Sequence, residues 1–110
     1  MDNREVAIEF TRCFCGGDVD GLARLLVDDL RFKGPYHQFG SSAAYLAAVR
    51  ADPPEESSYR VHSVTEGQEE VSVYWEYQKR DGALTLAQLF GFRDGLISEI
   101  LLVFDARESG

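Results

Sequence analysis

VSVYWEYQKRDGALTLAQLFGF, residues 71–92, alternates apolar and polar side chains in two runs on either side of Asp81-Gly82. Period-two alternation of this length marks a strand, and two such runs about an Asp-Gly pair make a hairpin. Val71, Val73, Trp75 and Tyr77 point one way; Ser72, Tyr74, Glu76 and Gln78 point the other. The aromatic side of this hairpin is either plain core or the wall of a cavity.

Register decides which residues share that side. With Asp81-Gly82 as a two-residue turn, Arg80 faces Ala83, and Tyr77 pairs with Leu86, Trp75 with Gln88 and Val73 with Phe90. A three-residue loop would set Glu76 against Leu86 and mix the faces, so the two-residue turn is expected. At Arg93-Asp94-Gly95 the preference reverses. There a three-residue loop with Gly95 left-handed pairs Phe90 with Ser98 and Gln88 with Ile100, whereas a two-residue turn would put Glu99 opposite Phe90. The inner face then takes alternate residues from Val71 to Tyr77, from Leu86 to Phe92 and from Ile100 to Phe104. Gln88 is its one amide. It either accepts from the Trp75 indole N–H and donates to a helix carbonyl, or awaits a ligand's polar atom, because an unpartnered buried amide is costly. On the other side, Ile97, Leu101 and Val103 project outward near Leu89 and Tyr74. A patch of that size predicts a homodimer through the outer sheet face, with two-fold symmetry.

Upstream of the hairpin the period changes. Val6, Ala7, Phe10 and Phe14 recur at helical spacing from about residue 4 to 15, and Gly16-Gly17 ends that helix. Asp18 caps a second helix with Leu22, Leu25 and Leu26 on one face, closed by Asp28 and Asp29. LRFKGPYHQF, residues 30–39, reads as a short strand broken by Gly34-Pro35 and a loop. Ser41 or Ser42 caps a third helix, SAAYLAAVRA, which Pro53-Pro54 stops. A strand near 58–66, the hairpin and a last strand at 96–104, closed by Asp105, complete a four-stranded meander. Three helices followed by a largely antiparallel sheet make an α+β fold, and the apolar alternation of the sheet requires the helices to cover one side.

The chain of 110 residues is expected to form a single domain over 1–110, with 45% apolar and 27% charged residues. Its net charge of −8, without a basic cluster, argues against nucleic acid or an anionic membrane as partner. The first residues, MDNREVAIEF, do not read as a signal or transit peptide, and no run approaches the ~20 apolar residues of a membrane span, so a cytoplasmic protein is expected. Cys13 and Cys15 lie two apart on a helix, about 200° around its axis, so they diverge as structural thiols. Neither metal-ligand spacing nor a phosphate-cradling glycine loop is present, and no cofactor is expected.

GGDVDGLARLLVDDLRFKGPY at 16–36, VYWEYQKR at 73–80 and FGFRDGLISEILLVFD at 90–105 are similar to segments of the nuclear transport factor 2-like superfamily. That resemblance implies a cone-shaped roll, related to cystatin-like folds, with three helices on a curved sheet and an apolar cavity at the open end. SnoaL-like polyketide cyclases, limonene epoxide hydrolase and ketosteroid isomerases share these features, and the isomerase hairpin looks most similar. In isomerases an Asp base works with a Tyr and a protonated Asp that bind the oxyanion. Matched by position, those groups fall on Gly34, Phe10 and Gln88, so the base and the phenol are missing. The water-activating Asp-Arg-Asp of the epoxide hydrolases falls on Trp75, Tyr77 and Leu102, which cannot do that work. The cyclases' acid pair has no clear counterpart.

Three functions are therefore consistent with the sequence. A binding module would hold a small apolar or aromatic molecule against Phe10, Phe14, Tyr36, Trp75, Tyr77, Gln88, Phe90 and Leu102. An isomerase, cyclase or dehydratase would use His37 and Tyr36 at the cavity mouth. An assembly domain would have its cavity filled. His62, on a strand, is expected to face solvent.

Overall fold

The computed structural model describes residues 1–54, 57–105 and 107. The C-terminal end of the expected single domain, Ala106 and residues 108–110, lies outside the described residues. Helix α1 (Asn3–Cys15) starts on a capping box: Asp2 accepts from the Glu5 N–H, and Glu5 reaches back to the Asp2 N–H. Val6, Ala7, Phe10 and Cys13 form its buried stripe. Asp18 caps α2 (Val19–Ala23) through the Gly21 N–H. Gly21 suits this helix, because a Cβ there would run into the Asp18 carboxylate and stand 2.7 Å from Cys13 Sγ, so the capping side chain would have to shift. The Ser41 hydroxyl accepts from the Ala44 N–H and caps α3 (Ser42–Ala51).

Six strands form one sheet: β1 (Leu26–Lys33), β2 (Gln38–Phe39), β3 (Ser58–Glu66), β4 (Glu70–Lys79), β5 (Gly82–Arg93) and β6 (Leu96–Phe104). Their order is β2-β1-β6-β5-β4-β3, antiparallel except where β1 runs parallel to β6. The three helices, all in the N-terminal half of the chain, pack on this curved, unclosed sheet, as the α+β reading requires. The core fills the space between them, where Phe10 of α1 meets Phe90 of β5 edge-on with ring centroids 5.3 Å apart.

Helix α2 is shorter than expected. It stops after one turn, Leu26 opens β1, and the Leu25 carbonyl accepts from the Ile97 N–H at 2.8 Å. Asp28 and Asp29, expected to close a helix, therefore lie in a strand, and Asp29 pairs with Arg93 of β5. Sheet pairing wins here over the weak helical preference of a short segment.

Both hairpin registers also differ from expectation. Lys79 pairs with Gly82, so Arg80-Asp81 forms the first turn, and Gly82 uses its conformational freedom one residue later, at φ 131°. Trp75 consequently faces Leu86, Gln88 faces Val73, and Val71 faces Phe90. The slip is two residues, and an even slip leaves every side chain on its expected side. At the second turn Asp94 and Gly95 both take positive φ, 54° and 81°, which is a two-residue turn of the primed type rather than a three-residue loop. A bulge beside Gly91 and Phe92 then restores the faces, so Gln88 pairs with Leu102 and Phe90 with Ile100. The bulge also turns Ile97 inward. It pairs with Phe92 and is fully buried, not part of the outer patch.

A candidate binding pocket with two buried donors

A pocket of about 680 Å3 opens between the sheet and α3. Its floor is the inner face of β4, β5 and β6, contributed by Trp75, Tyr77, Leu84, Leu86, Gln88 and Leu102. Phe32, Phe39 and Tyr45 pack on one another along its wall, with Val49 of α3 beside them, and the exposed residues Tyr36, His37, Asp52 and Pro53 mark the mouth. The volume lies within the range of small-molecule sites, about 300–1,000 Å3.

Of the residues singled out from sequence, Phe14, Tyr36, His37, Trp75, Tyr77, Gln88 and Leu102 line this pocket. Phe10 and Phe90 do not: both are fully buried, packed on each other in the core below it. A helix resting directly on the sheet leaves no opening at that level. Tyr36 is 60% exposed, with its ring edge-on to Phe104, and His37 is exposed and stacked on Phe39 at 5.8 Å. Both stand at the rim, where water screens a charge and a transferring proton is not sequestered. His62 is exposed on β3, with Nε2 3.9 Å from Glu76 Oε1.

The interior carries different polar groups. Trp75 Nε1 donates to Gln88 Oε1 at 2.8 Å, a diagonal contact across β4 and β5 that survives the register change. The expected second bond, from Gln88 to a helix carbonyl, is not formed among the described residues. Gln88 is 95% buried, being 5% exposed, yet its Nε2 has no acceptor there. Tyr45 is 4% exposed, and its hydroxyl likewise has no partner among the described residues. Ser57 Oγ is the one fully enclosed side-chain polar atom without a partner among those residues. Gln88 Nε2 and the Tyr45 hydroxyl therefore keep contact with accessible space, and the space both residues line is the pocket. Burial raises the Tyr45 phenol well above its ordinary range, so it stays neutral and able to donate.

Sequence reasoning missed Tyr45. The signal was a lone phenol on the buried stripe of α3 beside Leu46 and Val49, where a buried Tyr hydroxyl normally needs a partner.

The two cysteines do not extend this chemistry. Both thiols are free and buried, and burial pushes each up to about 11. Both are thus protonated at neutral pH and shielded, so alkylation of native protein by iodoacetamide at pH 7.5 should be slow and become rapid on adding denaturant. Prompt labelling of the native protein would show that α1 opens locally. Among the described residues, no group of three His, Cys, Asp or Glu could hold a metal ion.

A three-helix cap on a curved sheet, with a pocket at its open end, defines a nuclear transport factor 2-like domain. Residues 7–100 match the model of the SnoaL-like domain, and the chain belongs to that family. Solved structures agree on the fold. A nuclear transport factor 2-like protein of unknown function from Cytophaga hutchinsonii is 18% identical, with 99% of this chain and 95% of that one covered and a TM-score of 0.85. A protein from Kribbella flavida provisionally called a ketosteroid isomerase is 20% identical, covers 94% of this chain and 77% of its own, and has a TM-score of 0.82. A de novo designed protein with a curved β-sheet is 22% identical over 96% of this chain and 86% of its own, with a TM-score of 0.83. No curated protein matches the chain. Among the described residues no helix is long and apolar enough to cross a membrane.

Proposed function

We propose that this domain binds a small, flat, apolar molecule carrying an oxygen atom, held between the inner sheet face and α3. The observation that carries this reading is the pair of buried donors, Gln88 Nε2 and the Tyr45 hydroxyl, on a largely apolar pocket wall. Buried polar groups are normally satisfied, and leaving one without a partner costs ~1–3 kcal/mol. A ligand carbonyl that accepts from them removes that cost, while Trp75 and Tyr77 supply aromatic area. The open volume favours this reading over a filled assembly core. The rim position of Tyr36 and His37, and glycine at position 34, favour binding over isomerase-type catalysis.

Flat aryl ketones should quench or shift Trp75 emission saturably and raise the melting temperature. At a hundredfold excess over Kd, stabilisation should reach about 2.7 kcal/mol. A broad panel that changes neither signal would reject the reading.

We further propose a cytoplasmic homodimer. Two free thiols suit a reducing compartment. On the outer face Tyr74, Ala87 and Val103 stand in one row across β4, β5 and β6, with Leu89 and Leu101 paired beside them. Tyr74, Leu101 and Val103 are 51%, 39% and 55% exposed, a contiguous apolar surface that a second copy would cover. Light scattering at micromolar concentration should report a dimer, and Leu101→Asp should split it without unfolding the chain. A wild-type monomer would refute the pairing.

A further inference from the structure

Resting on the binding reading above, we infer that the ligand is an amphipathic monocarboxylate, its acid group at the pocket mouth against Lys79 and a second acceptor oxygen at Gln88 and Tyr45. Lys79 ends the inner row of β4 that begins at Val71 and includes Trp75 and Tyr77. It is half-buried and lines the pocket, and among the described residues lining it Lys79 carries the one fixed positive charge. Asp52 is the one carboxylate there among those residues, and it is exposed at the end of α3. No ion pair joins the two, and none engages Lys79 among the described residues. In a chain of net charge −8, an anion comes to this mouth through a local cation and not through the overall field.

The polar complement of the pocket also fixes the chemistry of the ligand. The Gln88 carbonyl already takes the Trp75 proton, so the amide offers its N–H group. The neutral Tyr45 phenol offers an O–H, and Lys79 offers ammonium hydrogens. Three positions that can all donate favour a molecule with acceptors at both ends. Four residues of β4 separate the level of Trp75 from that of Lys79, about 13 Å of strand. The flexible lysine stem shortens the gap the ligand must span, so its two acceptors stand roughly 6–13 Å apart. A ketone and a carboxylate at opposite ends of one benzene ring meet the lower limit.

The test uses calorimetry on the full-length protein with 4-benzoylbenzoate, its methyl ester and 4-benzylbenzoate, which keeps the acid but lacks the ketone. Wild-type protein should bind the keto acid about tenfold or more tightly than the ester, as a charge-assisted contact predicts. Lys79→Met and Lys79→Gln should both erase that preference by weakening the keto acid far more than the ester. Equal binding of acid and ester by wild-type protein, or an acid preference that survives both substitutions, overturns the monocarboxylate assignment but leaves a ligand pocket standing. Tighter binding of 4-benzylbenzoate than of the keto acid overturns the acceptor at the deep end. Failure of all three compounds, together with an unresponsive panel of neutral ketones, overturns both this inference and the binding reading.

Discussion

Phe10→Ala should lower the unfolding free energy by about 3–5 kcal/mol, the range for removing a fully buried aromatic ring. Phe10 is 1% exposed and touches three other rings: Phe14 on its own helix, Tyr45 on α3 and Phe90 on β5. It thus joins α1 and α3 to the sheet. A domain of this size is stable by about 5–15 kcal/mol, so the variant approaches the limit of folding. Phe14→Ala is the control. That ring is half-buried at the pocket edge, where truncation enlarges an existing space, and the loss should be clearly smaller. Urea titrations of both variants measure the difference. A Phe10→Ala loss below about 1 kcal/mol would show that the core does not centre on this residue.

Phe10 also shows where sequence reasoning reaches its limit. Its burial followed from helical spacing alone, but its placement on a cavity wall required knowing how closely α1 approaches the sheet. Spacing along one element carries no information about that separation. The hairpin teaches a related lesson. The sides of Trp75, Gln88 and Phe90 were readable because strand alternation has period two. Their partners were not, because turns at Asp81-Gly82 and at Arg80-Asp81 give the same faces. The bulge beside Gly91 and Phe92 defeated the reading of Ile97 for the opposite reason: one extra residue reverses a face. The fold could be recognised nonetheless, since alternation, caps and glycine positions all agreed on it. The interior donors were only half visible. Gln88 stands out as the one amide on an apolar row, whereas Tyr45 resembles any other aromatic on a helix stripe, and only the structure shows its hydroxyl without a partner among the described residues.

Gln88→Leu should change stability and ligand selection together, and the two effects separate cleanly. Leucine removes the acceptor of Trp75 Nε1, leaving a buried N–H unpaired at a cost of about 1–3 kcal/mol. Trp75→Phe removes that N–H, so in its background the same Gln88→Leu change should cost much less. The coupling between the two sites, measured by a double-mutant cycle, should reach about 1 kcal/mol or more. Ligand selection depends on the other end of the amide. With Nε2 gone, the advantage of an aryl ketone over its methylene analogue should fall by about tenfold, while affinity for the hydrocarbon stays level or improves. Tyr45→Phe should erode the same preference without touching the Trp75 hydrogen bond, so its stability loss should show no coupling to Trp75→Phe. If Gln88→Leu destabilises as expected but leaves the ketone preference intact, the amide serves Trp75 alone and Nε2 takes no part in recognition. If the preference falls in both the Gln88 and Tyr45 variants, the two donors act on one oxygen, and the aromatic side of the hairpin is the wall of a binding site.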